Sequence, residues 1–370
     1  MTATNWTAAL LARLWARFYC DVQAAALKRP QLDAIAPPQQ RSEERSPLER
    51  LTGLVRADMD RVDDLIHARM SSDVHMIPEL AAHLINAGGK RVRPMITLAA
   101  ARLCGYEGDH HVKLAATVEF IHTATLLHDD VVDGSGLRRG KTAANLLWGN
   151  SASVLVGDFL FSRAFSLMVE TDSLKVLGIL SNASSIIAEG EVAQLAALND
   201  IETTLDAYME IIEAKTAALF SAAAEVGAVI AGANPAREAA LKRYGLELGL
   251  AFQLADDALD YGGGSAQLGK SVGDDFAEGK VTMPVALAIA RARSDEERAF
   301  WRRTIGAVDQ QPEDFAQACD LIDCCGAIED TLKAAQTHAD AAVAALTPFE
   351  DGEIKEALGE LCGFVVSRAY

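Results

Sequence analysis

A chain of 370 residues, half of them apolar and with a net charge of −18, can bury a large core. That charge excludes nonspecific attraction to nucleic acid or to anionic membranes, so any anion site must be built locally from a few cations. The cysteines, Cys20, Cys104, Cys319, Cys324, Cys325 and Cys362, have neither metal-ligand spacing nor disulfide-framework density, which fits a reducing cytoplasm, and no stretch approaches an uninterrupted membrane span.

In chain order, residues 1–29 place Leu10, Leu11, Leu14, Trp15 and Phe18 on a helix-compatible stripe, with Arg13 and Arg17 turned away. A membrane-surface helix, an organelle-targeting segment and a plain extension all fit; the absence of serine counts against targeting. Pro37 to Pro47, with Gln39, Gln40, Glu43 and Glu44, reads as a polar linker, so residues 1–47 form an extension and 48–370 the working domain. From Leu48 onward the apolar period is near 3.6 and strand signals are scarce. Helices are expected from about Leu51 to Met70, Ile77 to Asn86, Pro94 to Leu103, His111 to Asp133, Thr142 to Met168, Leu174 to Leu198, Thr204 to Ala231, Arg237 to Asp260 and Met283 to Arg293. Shorter ones follow. Pro94 and Met283-Pro284 mark starts, while Gly88-Gly89 and Gly262-Gly263-Gly264 mark stops. Helices this long and apolar predict an all-α fold, a single large bundle with core helices surrounded by others.

Two of these helices end in the same pattern, Asp129-Asp130-Val131-Val132-Asp133 and Asp256-Asp257-Ala258-Leu259-Asp260. In each, the first and last carboxylates lie four residues apart and share a face. One such copy is common on solvated helix faces. Two copies at the C-terminal ends of apolar helices, each with cations nearby, point instead to a divalent metal and diphosphate site, and hard oxygen ligands suit magnesium. The cations are Lys90, Arg91 and Arg93 in a glycine-opened turn leading into a helix, Arg138, Arg139 and Lys141 after the first motif, Lys215 beside Thr216, and Lys270 and Lys280 after the second motif. His122, on its own, reads as a core histidine, yet it lies two turns before Asp129 on nearly the same face.

These residues together resemble the trans-polyprenyl diphosphate synthases, the head-to-tail chain-elongating isoprenoid synthases. The resemblance runs from about Leu51 to the C-terminus through Gly88 to Pro94, Phe120 to Lys141, Gly157 to Leu160, Glu189-Gly190-Glu191, Lys215-Thr216-Ala217, Phe252 to Asp257 and Gly269 to Lys280. It implies an all-α bundle around a deep central cavity, a homodimer, and magnesium held by Asp129, Asp133 and Asp256 with Asp130, Asp257 and Asp260 in support. By the same resemblance, Lys90, Arg93, His122 and Arg139 bind the diphosphate of isopentenyl diphosphate. Arg138, Lys215, Thr216, Gln253, Lys270 and Lys280 hold the allylic diphosphate. One departure is that Gly134-Ser135-Gly136 follows Asp133, where the family tends to place an acid; a slacker loop is expected there.

The helix before the first motif carries the expectation about product length. Thr125, Ala124 and Ile121 lie four, five and eight positions before Asp129, facing down the cavity, and none is a large aromatic. By analogy, bulky residues here stop growth early, so small ones imply a product of about 40–50 carbons, suited to a quinone tail. The alternative is that they merely pack against a neighbouring helix. Release of such a product implies peripheral membrane contact. A shorter-chain synthase and a noncatalytic subunit of a heteromeric synthase are the competing readings, though a noncatalytic subunit should have lost metal ligands. A terpene cyclase would not need the cations for a second diphosphate.

Overall fold

The computed structural model describes residues 46–85, 88–262 and 273–367, and its first feature is a capping box. The Ser46 hydroxyl accepts from the Glu49 backbone N–H at 3.3 Å and the Glu49 carboxylate accepts from the Ser46 N–H at 2.8 Å, with Pro47 next in line. These residues start α1 (Pro47–Arg69) four residues before the expected Leu51. The expected amphipathic stripe and the linker as far as residue 45 lie outside the described residues.

The central helices bury most of their circumference, as their apolar sequences require. After α2 (Met76–Ile85) come α3 (Val92–Leu103) and α4 (His110–Val132), the latter buried from His111 to Asp130 on nearly every turn. A two-stranded antiparallel hairpin, β1 (Leu137–Arg138) with β2 (Lys141–Thr142), precedes α5 (Ala144–Trp148) and α6 (Asn150–Val169). The single helix expected from Thr142 to Met168 is therefore broken: Gly149, at φ 86°, leaves the helical region between α5 and α6. Contrary to the sequence expectation, α6 is long and apolar enough to cross a membrane, but one side of it packs along α4.

Helix α7 (Leu174–Ala196) leads to a rod expected to be one helix, and it contains a π-helical turn. The rod is α8 (Leu205–Ile212), the π turn Glu213–Ala217 and α9 (Ala218–Ile230). Asn234 caps α10 (Pro235–Tyr261) by accepting from the Arg237 N–H at 3.0 Å. The short α11 (Asp274–Ala277) is followed by α12 (Met283–Ala290), α13 (Asp295–Trp301), a second π turn at Arg302–Gly306, α14 (Asp314–Cys324), α15 (Ala327–Ala345) and α16 (Glu353–Ser367). Helix α9 packs against α3, α7 and α10, while α10 also packs along α15. Both acidic motifs sit at the C-terminal ends of helices in this bundle, α4 and α10.

Candidate active site

The first acidic motif divides its labour. Asp130 is fully buried, and its carboxylate accepts from Arg138 Nε at 2.7 Å and pairs with the same guanidinium at 2.6 Å. Its backbone carbonyl accepts from Asn145 Nδ2 at 2.9 Å and the Ser135 N–H at 3.0 Å, and Ala143 N–H donates to the Gly136 carbonyl. The segment expected to be slack is thus tied back at both ends. Arg138, expected on a diphosphate, is bound to Asp130. Asp129, one residue earlier, is half-buried and remains toward the site; burial first, then the Glu191 and Asp133 carboxylates, push its pKa up to about 7 against Lys215 and Arg138.

At the second motif, both oxygens of the buried Asp257 have donors, Gln253 Nε2 at 2.7 Å and the Tyr208 hydroxyl. Asp260 accepts the backbone N–H groups of Gly273 and Asp275, each at 3.1 Å, and so fixes the start of α11. Burial and the neighbouring Asp257 and Asp260 raise the Asp275 pKa well above the carboxylate range, with Lys280 opposing. Lys280 Nζ lies 3.4 Å from Asp133 and pairs with Glu278, so one ammonium links the first motif to the segment after the second. Burial alone would lower its pKa, but Asp133, Asp275 and Glu278 hold it above the usual value. Lys270 lies outside the described residues.

The π turn adds the next pair of groups. Lys215 pairs with Glu191 of α7 at 2.8 Å, and Thr216 donates to Gln253 Oε1 at 2.8 Å. Gly190 makes this approach feasible: a Cβ there would lie 2.7 Å from Ala214 Cβ and 2.9 Å from the Lys215 nitrogen.

The cationic turn before α3 meets the hairpin. Arg139 donates to the Gly88 carbonyl, and a Cβ on Gly89, at φ 146°, would lie 2.6 Å from Arg139 Nη1. Arg93 stands 4.3 Å above the Phe220 ring, with Nη1 3.3 Å from His122 Nε2 and a buried Nε that has no partner. Burial, with Arg139 nearby, pushes Arg93 down to about 10 against Glu119, yet it stays cationic at neutral pH. Burial and the surrounding arginines hold His122 well below the ordinary histidine value, so the neutral ring accepts from Arg93. Arg91 is spent on Glu119 at 3.0 Å, and Lys90 lies 5.8 Å from the Phe364 ring centre.

A pocket of about 120 Å³ is lined by Lys215, Thr216, Gln253, Asp257, Asp275 and Lys280 among others. A larger groove, about 570 Å³, runs between α7 and the π turn with α9, past Ile179, Ala183, Ala214 and Ala218. Neither is lined by the residues expected to measure product length. Ile121 and Ala124 are fully buried, and the half-buried Thr125 donates its hydroxyl to the His122 carbonyl at 2.8 Å. Among the described residues no three His, Cys, Asp or Glu groups stand close enough to hold an ion. Asp129, Asp133 and Asp256 are therefore not gathered into one ligand set; Lys280 pairs with Asp133. The sequence reading did not assign roles to Glu191, Tyr208 or Asp275. Glu191 was visible within Glu189-Gly190-Glu191, whereas no local signal marks Tyr208.

Comparison with known proteins adds to this geometry. The family described as Polyprenyl synthetase matches residues 74–322. The octaprenyl diphosphate synthase of Escherichia coli (strain K12) is 47% identical over 321 residues, covering 87% of this chain and 99% of that protein. Among solved structures, a polyprenyl synthase from Caulobacter crescentus CB15, complexed with calcium and isoprenyl diphosphate, is 59% identical with a TM-score of 0.85, covering 87% of this chain and 98% of the other. A decaprenyl diphosphate synthase from Rhodobacter capsulatus is 54% identical with a TM-score of 0.84, covering 88% and 100%.

Proposed function

This chain belongs to the polyprenyl synthetase family, and we propose that it condenses isopentenyl diphosphate onto an allylic diphosphate, repeatedly, as a long-chain trans-prenyltransferase. The observation that carries this reading is the meeting of two aspartate-ended helices with two separate sets of cations. Arg93, Arg139 and Lys90 surround one side, where a buried guanidinium nitrogen without a partner calls for an anion. Lys215, Thr216, Gln253 and Lys280 line the pocket on the other. Two diphosphates need two such sets, and the similarity to octaprenyl and decaprenyl synthases favours the long-chain reading over the shorter-chain and noncatalytic ones.

The carboxylates fit a hard divalent cation. Asp129 is pushed up to about 7 by burial and by neighbouring acids, a crowding that a dication would relieve. We assign Asp129 and Asp133 on the first aspartate face and Asp256 on the second as ligands of metal ions rather than of a single shared one, with magnesium as the metal; the calcium-bound relative supports a divalent ion. When bound, the metal supplies charge neutralisation to the departing diphosphate. Asp130, Asp257 and Asp260 act behind the ligands: Asp130 fixes Arg138 and the hairpin, Asp257 orients Gln253, and Asp260 anchors the start of α11. Lys90, Arg93, His122 and Arg139 hold isopentenyl diphosphate with its double bond toward the allylic carbon, while Lys215, Thr216, Gln253, Lys270 and Lys280 hold the allylic diphosphate. Orientation does most of the rest, since the attacking electrons come from the substrate double bond and no protein nucleophile is required.

The catalytic domain in this reading starts at the Ser46 cap of the first helix, just before the expected residue 48, with the residues before it an extension, and the enzyme works in the cytoplasm with peripheral membrane contact for product release. A homodimer is supported by the apolar side chains that α5, α6 and α7 leave exposed, including Leu146, Leu155, Val169, Leu174 and Val192. The test is product sizing after incubation with magnesium, labelled isopentenyl diphosphate and farnesyl diphosphate. Products of about 40–50 carbons are expected by family analogy. No incorporation would overturn the enzyme reading, and arrest at the first one or two additions would overturn the long-chain one. Ala124→Phe adds a ring to a fully buried position one turn before the metal ligands. Shorter products should then dominate; an unchanged distribution removes Ala124 from the path of the tail.

A further inference from the structure

Tyr208 belongs to no motif of the sequence, yet its hydroxyl is built into the site. It sits in the first turn of α8, four residues after Thr204, whose side chain accepts from the Ala207 N–H at 3.2 Å and starts that helix. The ring is 4% exposed and lines the same pocket as Lys215, Thr216, Gln253 and Lys280. Its hydroxyl donates to Asp257 Oδ2, while Gln253 Nε2 donates to Oδ1 of the same carboxylate at 2.7 Å. Gln253 Oε1 in turn accepts from Thr216 at 2.8 Å.

The chemistry of the donors fixes the direction of this chain. The amide NH2 of Gln253 faces Asp257 and its carbonyl oxygen faces Thr216, which has a proton to give it. The Thr216 hydroxyl is then pinned by the Gln253 carbonyl oxygen in the substrate-free site, and from that fixed position it turns its single proton to a diphosphate oxygen, which only accepts, when one binds. Without the Tyr208 hydroxyl one oxygen of the buried Asp257 loses its donor, and the carboxylate can turn toward Gln253 or away from it. We infer that Tyr208 is a positioning residue for the allylic side of the site, acting through Asp257 and Gln253 to set the orientation of Thr216. This inference rests on the proposed function and adds a residue to the same site.

The test uses the full chain and begins with wild type in the product assay. Failure of wild type to elongate overturns the functional reading, whereas elongation by wild type leaves the role of Tyr208 to the variants. Tyr208→Phe keeps the ring and removes the hydroxyl; with one oxygen of the buried Asp257 left without a donor, the melting temperature should fall by a few degrees while the chain still folds. Its KM for the allylic substrate should rise about tenfold, the scale of one lost hydrogen bond to a charged group, with KM for isopentenyl diphosphate unchanged. Equal changes in both constants, or none, overturn the proposal. The double variant Tyr208→Phe with Gln253→Ala should be no worse than Gln253→Ala alone, because both act on one path; additive losses overturn it. If Tyr208→Phe fails to fold, Asp257→Asn interrogates the same path from the middle: Asn presents an NH2 to one of its two donors, and the same selective rise in the allylic KM is expected, its absence counting against the path.

Discussion

Adjacent residues on a helix point about 100° apart, and that rotation separates Asp129 from Asp130 in what they can do. Asp130 turns inward, where Arg138 and the hairpin hold it, and Asp129 turns toward Lys215 and Glu191. A carboxyl whose pKa is raised to about 7 in the folded chain, from about 4 when unfolded, binds its proton more tightly when folded. Its stabilising contribution is therefore complete below about pH 4 and is lost as pH rises through about 7. In metal-free protein this predicts a melting temperature that falls between about pH 6 and pH 8, and Asp129→Asn should flatten part of that fall while lowering turnover about 100-fold or more. Thermal unfolding in chelator at both pH values, with turnover in magnesium, checks both halves. A variant that melts with the wild-type pH dependence, or one that keeps near-normal turnover, would sink the assignment.

At the scale of elements, what matters is how closely α7 approaches the π turn, because that contact brings Glu191 to Lys215. Gly190→Val puts a branched side chain where a Cβ alone would lie 2.7 Å from Ala214 Cβ and 2.9 Å from the Lys215 backbone nitrogen. Forcing those elements apart should cost about 1–3 kcal/mol of stability and displace Lys215 and Thr216, so turnover should fall further than stability explains. Gly178→Ala, on the same helix with nothing within 4 Å of the added carbon, is the control and should leave turnover intact. Normal turnover in Gly190→Val would mean that the contact does not position the site. The contrast also explains what the sequence could reveal. The acidic motifs were legible because spacing of four on an apolar helix is a local pattern, and most helices followed from their 3.6 period. The π turn at Glu213–Ala217 was not, since one extra residue in a turn leaves the apolar pattern on either side intact. The hairpin after Asp133 was hidden by strands of two residues each, too short for any alternation to register. Contacts such as Tyr208 to Asp257 and Arg139 to Gly88 join residues 49 and 51 positions apart, and only the packing of the bundle brings them together.

For the whole molecule, the distribution of apolar surface is the remaining clue. Helix α6 buries one side along α4 and leaves Val154, Leu155, Phe165 and Val169 exposed on its outward side, while neighbouring α5 and α7 leave Leu146, Leu147, Leu174, Val192 and Leu195 exposed. Scattered exposed leucines are ordinary, but this many on consecutive elements form a face that water solvates poorly. A second copy of the chain can cover it by a two-fold axis, since the same patch then meets itself. Leu155, 67% exposed, tests this with little risk to the fold, because its side chain contributes little to the core of one subunit. In a two-fold interface Leu155→Glu enters twice, placing two carboxylates in a region that excludes water. Wild type should sediment at twice the chain mass, and the variant should sediment as a monomer with an unchanged helical circular dichroism signal. A monomeric wild type would remove the dimer, and a dimeric variant would place its interface away from Leu155.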